Sequence, residues 1–218
     1  MRDVGKTGAH LPKIMKATFA EVSSPGDLPI VDAIVVGASA GGVEALLKIF
    51  SGLRPGFSLP ILTVLHVPDD RRSQLAEVFQ NRLSIPVKEA DDKENIVPGT
   101  LYFAPSGYHL SVESDRSLSL SQEDRVFYSR PSIDILFSSA ADAYDSKLAG
   151  ILLTGANSDG ARGLMQIKNY GGFTVIQDPL QAQVSTMPEA ALALHQPDYL
   201  LSLTDIGRLL VELEKTAC

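Results

Sequence analysis

The chain has 218 residues, of which 44% are hydrophobic and 21% charged, so it fits one globular domain and excludes a disordered, collagen-like or coiled-coil chain. The formal net charge of −7 disfavours nucleic acid as a partner, because phosphate backbones are bound by basic surfaces. The one cysteine, Cys218, rules out a disulfide framework and a cysteine-based zinc site. A reducing cytoplasm is therefore the expected location.

The first thirty residues predict no export signal, because no unbroken apolar run follows their basic residues. No later stretch has the roughly 18 apolar residues of a membrane span, so we expect no membrane insertion. Ser, Pro and Gly interrupt the stretch 21–29. We interpret residues 1–30 as a tail or peripheral element and residues 31–218 as the domain.

From Val31 onward, apolar runs with strand character alternate with segments of helical periodicity. The predicted elements are a strand at 32–39, a helix at 43–53, a strand at 59–66, a helix from 71, β-hairpins within 99–121 that turn at Ser106–Gly107, a helix at 132–144, a strand at 148–155, a helix at 161–172, a strand at 173–177 and a helix at 203–215 capped by Thr204. This order predicts a doubly wound α/β domain. Its sheet is mostly parallel with helices on both faces, and it carries an antiparallel β-hairpin insertion.

The first predicted strand leads into its helix through a glycine-rich turn, Gly37–Gly42, with the G-x-S-x-G spacing of a nucleophile elbow around Ser39. Such a turn more often cradles a phosphate or a dinucleotide. Three features argue against that alternative. Ser39 stands where the second glycine of a dinucleotide fingerprint belongs, the second strand ends at His66 instead of an acidic residue, and no Walker lysine follows the turn.

His66 is the histidine that the predicted topology brings to Ser39. It ends the second strand, and carboxyl ends of parallel strands share one rim, about 5 Å apart when the strands are neighbours. The plainer alternative is a strand-end histidine bonded to a backbone carbonyl. The other histidines are weaker candidates, since His10 lies in the tail, His109 in the hairpin region and His195 in a late loop.

Asp159 is the first candidate for a carboxylate that orients His66. It follows the predicted strand 148–155 on the same rim, just before a helix, where an aspartate commonly acts as the N-cap instead. Asp178, after the strand 173–177, ranks second, and Asp134 within a predicted helix is a further rival. Ser, His and Asp at three strand ends predict a serine hydrolase site.

Six segments in register extend this hypothesis to a family. They are IVVGASAGGVEAL, LHVP, VPGTLYFAPSGYHL, RPSIDILF, LLTGANSDGARGL and STMPEAA, and they cover about Asp32 to Leu203. Together they resemble the catalytic domain of the CheB family, the protein-glutamate methylesterases of bacterial chemotaxis. The resemblance implies a catalytic triad of Ser39, His66 and Asp159. Their order along the chain differs from the Ser…Asp…His order of ordinary α/β-hydrolases.

The resemblance implies hydrolysis of γ-methyl esters on chemoreceptor glutamates to glutamate and methanol, and deamidation of receptor glutamines, without a metal or organic cofactor. Members of this family usually carry an N-terminal receiver domain, for which the stretch before Asp32 is too short. We therefore expect a stand-alone catalytic domain at 31–218 that acts on methyl-accepting receptors and is regulated, if at all, by a separate protein.

The chain departs from the family pattern at two places, with Ala40 after the nucleophile where a hydroxyl residue is frequent and Ala156–Asn157 where the family has methionine and glycine. These departures bear on substrate preference and rate. They motivate two alternatives, an acyl hydrolase with another ester substrate and a non-catalytic α/β binding module. The matching segments at 130–134 and 185–189 suggest no chemistry, and we expect structural roles for them.

Overall fold

The computed structural model describes residues 28–66 and 74–217. The strands within them are β1 (Ala33–Ala38), β2 (Ile61–Leu65), β3 (Val87–Glu89), β4 (Leu101–Phe103), β5 (His109–Val112), β6 (Leu118–Ser121), β7 (Leu148–Leu152), β8 (Phe173–Gln177) and β9 (Tyr199–Leu201). The helices are α1 (Gly42–Phe50), α2 (Leu75–Gln80), α3 (Ile133–Tyr144), α4 (Ala161–Asn169), α5 (Thr186–Leu194) and α6 (Leu203–Ala217). The predicted tail falls almost wholly on residues 1–27, outside the described part.

Seven strands form one sheet in the order β3-β4-β2-β1-β7-β8-β9, and every neighbouring pair in it is parallel. From β1 the chain adds β2, β3 and β4 on one side, with β4 inserted between β2 and β3, and it then returns to add β7, β8 and β9 in order on the other side. The point between β1 and β7, where the direction of winding reverses, is where doubly wound folds bind ligands.

The sheet is covered on both faces, as its apolar strands predict. In β1, Ile34 and Val36 pack with α1, α2 and α6, whereas Ala33 and Val35 pack on the opposite face with α3, α4 and α5. Successive side chains of a strand point to opposite faces, and β1, which is covered on both sides, carries no polar side chain. The predicted α/β class and double winding are confirmed.

The antiparallel insertion is confirmed as a two-stranded sheet of β5 and β6, but it begins later than predicted. The segment 101–103 is a fully buried strand that pairs in parallel with β2 and β3, so it belongs to the main sheet. The Ser106–Gly107 turn connects β4 to β5, and the hairpin itself reverses between Val112 and Leu118. Alternation in the sequence could not distinguish these two turns, because both strands flanking the first are buried.

One further prediction about local structure is wrong, and three elements were not predicted. The cap of α6 is Ser202, whose hydroxyl accepts a hydrogen bond from the Asp205 N–H at 3.1 Å and donates to the Asp205 carboxylate at 2.7 Å. Thr204 lies inside the helix instead. The elements β3, β9 and α5 were not predicted, since the two strands have only three residues each. No helix in the described ranges is both long and apolar enough to cross a membrane.

Candidate active site

Ser39 and His66 lie side by side at the carboxyl rim of the sheet. β1 and β2 are neighbours with Ala38 opposite Leu65, so the next residue on each strand is Ser39 and His66 respectively. The His66 N–H donates to the Ala38 carbonyl at 3.1 Å, which continues the ladder to the last residue before the turn. The two strands are thus neighbours, the condition under which the sequence brings His66 to Ser39.

The His66 ring is held on both of its nitrogens. Nε2 is 2.9 Å from Asp159 Oδ2, and Nδ1 is 3.4 Å from the hydroxyl of Ser129. The His66 side chain is 11% exposed and that of Asp159 is fully buried, so the ion pair they form on protonation lies at the edge of the interior. A neutral imidazole donates from one nitrogen and accepts at the other. Asp159 therefore fixes the proton on Nε2 and leaves Nδ1 as the basic nitrogen.

Asp159 does not cap the helix that follows it, because the residue at that position of α4 is Gly160. Its carboxylate instead accepts hydrogen bonds from the first turn of α3, with the Ile133 N–H at 2.8 Å, the Asp134 N–H at 3.0 Å and the Ser132 hydroxyl at 2.9 Å. A carboxylate at a helix N-terminus is stabilised by these free N–H groups and by the helix dipole.

This environment decides the charge of Asp159. Burial raises the pKa of its carboxyl group, but the hydrogen bonds from His66 and from the backbone of Asp134 and Ile133 outweigh burial, and the net pKa lies below its ordinary value. Asp159 is therefore ionised at neutral pH and can stabilise a protonated His66. The segment 130–134, which suggested no chemistry in the sequence, supplies three of its hydrogen-bond donors.

Asp134, a rival in the sequence, has a different role. It accepts a hydrogen bond from the Gly163 N–H at 2.7 Å, at the start of α4, and burial raises its pKa. α3 and α4 thus exchange carboxylates, since Asp159 before α4 caps α3 and Asp134 on α3 caps α4. This reciprocal capping fixes the height of Asp159 at the rim.

The turn that carries Ser39 is tied to its surroundings by Thr154, which sequence reasoning missed. The Ser39 N–H donates to the Thr154 carbonyl at 2.9 Å, and the Thr154 hydroxyl donates to the Ala40 carbonyl at 2.8 Å. The same hydroxyl accepts from the Val184 N–H at 2.9 Å, so the segment before α5 is joined to the turn. Thr154 directly follows Leu153, at the end of the apolar run that contains β7. Its position next to Gly155, at the end of a strand, was the sequence signal that could have identified it.

The turn also presents unused backbone donors. Within the described residues, the N–H groups of Ala40 and Gly41 have no acceptor. The Gly155 N–H, which lies in the neighbouring loop, is already bonded to the Val184 carbonyl at 3.1 Å. A Cβ at Gly155 would lie 2.5 Å from Met187 Cε and 3.0 Å from Ser39 Cβ, so the segment 185–189 packs directly behind the serine.

The remaining candidates lie away from His66. Asp178 accepts a hydrogen bond from the Leu180 N–H at 3.0 Å, and His195 ends α5. His109 is fully buried, accepts from the Ser132 N–H at 3.1 Å and bonds the Asp124 carbonyl, and burial lowers its pKa. It supports Ser132 beneath Asp159. His10 lies outside the described residues.

Comparison with known proteins identifies the family of this arrangement. Residues 34–210 match the family model described as CheB methylesterase. A putative protein-glutamate methylesterase/protein-glutamine glutaminase of Leptospira interrogans is 44% identical over 184 residues, covering 84% of this chain and 95% of the relative. The protein-glutamate methylesterase/protein-glutamine glutaminase of Thermotoga maritima is 31% identical over 205 residues, 93% of this chain and 58% of the relative.

A third relative is the protein-glutamate methylesterase FrzG of Myxococcus xanthus, which is 34% identical over 192 residues, 88% of this chain and 57% of that protein. Among solved structures, the catalytic domain of the Thermotoga maritima CheB methylesterase superposes with a TM-score of 0.80 at 32% identity, covering 85% of this chain and all of that domain. The chain thus spans nearly all of the Leptospira relative and just over half of the Thermotoga and Myxococcus ones.

Proposed function

The chain belongs to the CheB methylesterase family, and from this premise we propose that it hydrolyses γ-methyl esters of glutamate side chains in chemoreceptors. Deamidation of receptor glutamines is the same acyl transfer with ammonia as the leaving group, and we include it in the proposal. The observation that carries it is the 2.9 Å contact between His66 Nε2 and the buried Asp159, one strand away from Ser39. We place the reaction in the cytoplasm.

The reaction begins when the Ser39 hydroxyl attacks the γ-carbonyl carbon and gives its proton to Nδ1 of His66. Asp159 holds the opposite nitrogen and stabilises the imidazolium that forms. The carbonyl oxygen becomes an oxyanion, for which the unused N–H groups of Ala40 and Gly41 are the nearest donors on the turn. Both donors belong to the backbone, so the alanine at position 40 removes no hydrogen bond from this step.

The tetrahedral intermediate collapses by breaking the ester C–O bond, and the proton on Nδ1 leaves with the methoxide as methanol. Water then gives a proton to Nδ1 and attacks the acyl-serine. Collapse of the second intermediate returns that proton to Ser39 and releases glutamate. In this sequence Ser39 is the nucleophile, His66 the general base and acid, and Asp159 the group that orients it.

The test is methanol release from methyl-esterified chemoreceptor by the parent protein and by Ser39→Ala. We expect release by the parent and a loss of about 10³-fold or more in Ser39→Ala, as for the removal of an activated nucleophile. Asp178→Asn is the matched control on the same rim, with an expected change of less than about twofold. Absence of release by the parent contradicts the proposed substrate, whereas release that survives Ser39→Ala contradicts the mechanism.

A further inference from the structure

A two-residue turn beside the site consists of aromatic residues, although its backbone conformation does not favour them. Val126 and Ser129 pair through two backbone hydrogen bonds, of 3.1 and 2.8 Å, and enclose Phe127 and Tyr128. Both enclosed residues have positive φ, 47° and 65°. Such turns strongly prefer Asn and Gly, since a side chain in the left-handed region costs about 1–2 kcal/mol.

The aromatic side chains of this turn point outward. Tyr128 is 94% exposed and Phe127 is 38% exposed. Two contacts support the turn in this conformation, since the Arg125 guanidinium donates to the Tyr128 carbonyl at 3.3 Å and the Arg162 guanidinium lies 6.0 Å from the Phe127 ring. Strained backbone that is held in place occurs preferentially at ligand clamps and switches.

Ser129, the last residue of the turn, contacts the general base. Its hydroxyl is 3.4 Å from Nδ1 of His66, whereas Ser39 makes no hydrogen bond to that ring among the described residues. Because Nε2 donates to Asp159, the hydroxyl of Ser129 is the donor and occupies the lone pair that must receive the proton of Ser39. Ser129 therefore holds the resting base in a state from which it has to be released.

We propose that the turn Val126–Ser129 is a docking element for the substrate protein, in which Phe127 and Tyr128 contact the segment that carries the ester and Ser129 transmits that contact to His66. The inference rests on the proposed function: Ser129 is 3.4 Å from His66 Nδ1, so a protein segment whose ester lies at Ser39 comes close to this turn. Docking shifts the turn and withdraws the Ser129 hydroxyl from Nδ1, so that Ser39 takes its place. A small ester does not contact the turn, so it reacts while the Ser129 hydroxyl still occupies Nδ1 of His66.

The test compares two substrates, methyl-esterified chemoreceptor and p-nitrophenyl acetate, by the ratio of their kcat/KM values. Tyr128→Ala is expected to lower the ratio about fivefold to tenfold through the receptor, the effect of removing an exposed aromatic anchor from an interface. Tyr170→Ala removes another exposed tyrosine, far along the chain at the end of α4, and is expected to leave the ratio unchanged.

The role of Ser129 is tested by substitutions that remove or keep its hydroxyl group. Ser129→Ala is expected to raise hydrolysis of p-nitrophenyl acetate about twofold to threefold, because one long hydrogen bond to the base is lost. Ser129→Thr keeps the hydroxyl and is expected to behave as the parent. A fall in small-ester hydrolysis in Ser129→Ala overturns the transmission step.

The inference and the proposed function fail in different ways. If the parent releases methanol from the receptor and Tyr128→Ala does so equally well, the docking element is wrong and the methylesterase stands. If the parent hydrolyses p-nitrophenyl acetate through Ser39 but releases no methanol from the receptor, both are wrong.

Discussion

Two turns bring a serine to the same histidine, and they are built from opposite kinds of residue. The turn at Ser39 uses glycine where the backbone is left-handed, with φ of +77° at Gly41. The turn at Ser129 places Phe127 and Tyr128 in left-handed conformations of similar φ. The first turn is relaxed and lies against the protein, whereas the second is strained and carries the Tyr128 side chain into solvent.

The difference separates a chemical role from a recognition role. At Gly41 a Cβ would lie 2.3 Å from the Gln183 amide oxygen, so the turn packs against Gln183 only with glycine at this position. At Tyr128 the side chain is almost wholly exposed, so folding gains little from its presence. A turn that keeps bulky residues at an energetic cost and outside the core is a turn whose side chains serve something other than packing.

The largest expected effect distinguishes the two serines by reactivity. A fluorophosphonate probe is expected to label the parent at Ser39, to label Ser129→Ala at least as fast, and to leave Ser39→Ala with a labelling rate lower by about 10³-fold or more. Ser39 has the unused N–H groups of Ala40 and Gly41 beside it for the developing charge. Mass spectrometry of the labelled peptide checks this, and a label on Ser129 would reverse the two roles.

The next largest effect is expected when the negative charge of Asp159, which contacts His66, is removed. Asp159→Asn is expected to lower kcat/KM for methanol release by about 10³-fold or more, because the amide cannot stabilise the imidazolium and favours the wrong tautomer. The circular dichroism spectrum should stay native, since an amide oxygen still accepts from the first turn of α3. Activity within tenfold of the parent would mean that Asp159 only caps that helix.

A substitution in the relaxed turn tests its need for glycine. Gly41→Ala is expected to lower the free energy of unfolding by about 2 kcal/mol, from its positive φ and its contact with Gln183. Gly52→Ala is the matched control, because a Cβ there meets nothing within 4 Å, and it is expected to change stability by less than about 0.5 kcal/mol. Urea unfolding of both variants measures the difference, and equal values would remove the steric argument.

The pH dependence of the free energy of unfolding tests the lowered pKa of Asp159, the carboxylate that contacts His66. The pKa of Asp159 is lower in the folded chain than its ordinary value of 3.8, so as the pH falls the unfolded chain takes up this proton first. Its contribution is therefore present above that ordinary value and is lost as the pH falls through the folded pKa. Denaturant unfolding between pH 7 and pH 3 should show the stability gap between the parent and Asp159→Asn narrowing only at the acid end; a constant gap would contradict the lowered pKa.

The smallest expected effect tests strain in the second turn. Tyr128→Gly is expected to raise the free energy of unfolding by about 0.5–1 kcal/mol, because glycine adopts positive φ without a steric cost and little buried contact is lost. Tyr170→Gly, at a residue with φ of −83°, should bring no such gain. Thermal unfolding compares the two, and a loss of stability in Tyr128→Gly would show that the ring supports the fold.

Much of the candidate site was readable in the sequence because it lies where strands end. Apolar runs identified β1, β2 and β7, and residues just beyond parallel strands share one rim whatever the details of packing. Ser39, His66 and Asp159 were therefore found as three strand-end residues. That Asp159 contacts His66, and Asp178 does not, was left as a ranking, because the order of strands in a sheet is a long-range property.

The residues that sequence reasoning missed act through contacts between distant segments. Thr154, Ser132 and His109 lie in segments that resemble the family, but the segments assigned them no role, and each gains its role from a hydrogen bond to a residue far along the chain. Ser129 is the same case, since 63 residues separate it from His66. Such bonds depend on how α3 and the hairpin lie on the sheet, which local spacing does not record.

By itself the sequence determined the double winding, the serine turn and the family, because these follow from local periodicity and from residues that stand close together in the chain. Strand ends alone left Asp159 and Asp178 as alternatives, and the tertiary structure shows the contact between Asp159 and His66, which nitrogen is left as the base and which second serine occupies it. Those are questions of distance between segments brought together by burial of the two faces of the sheet, and the physical answer exists only once the core has formed.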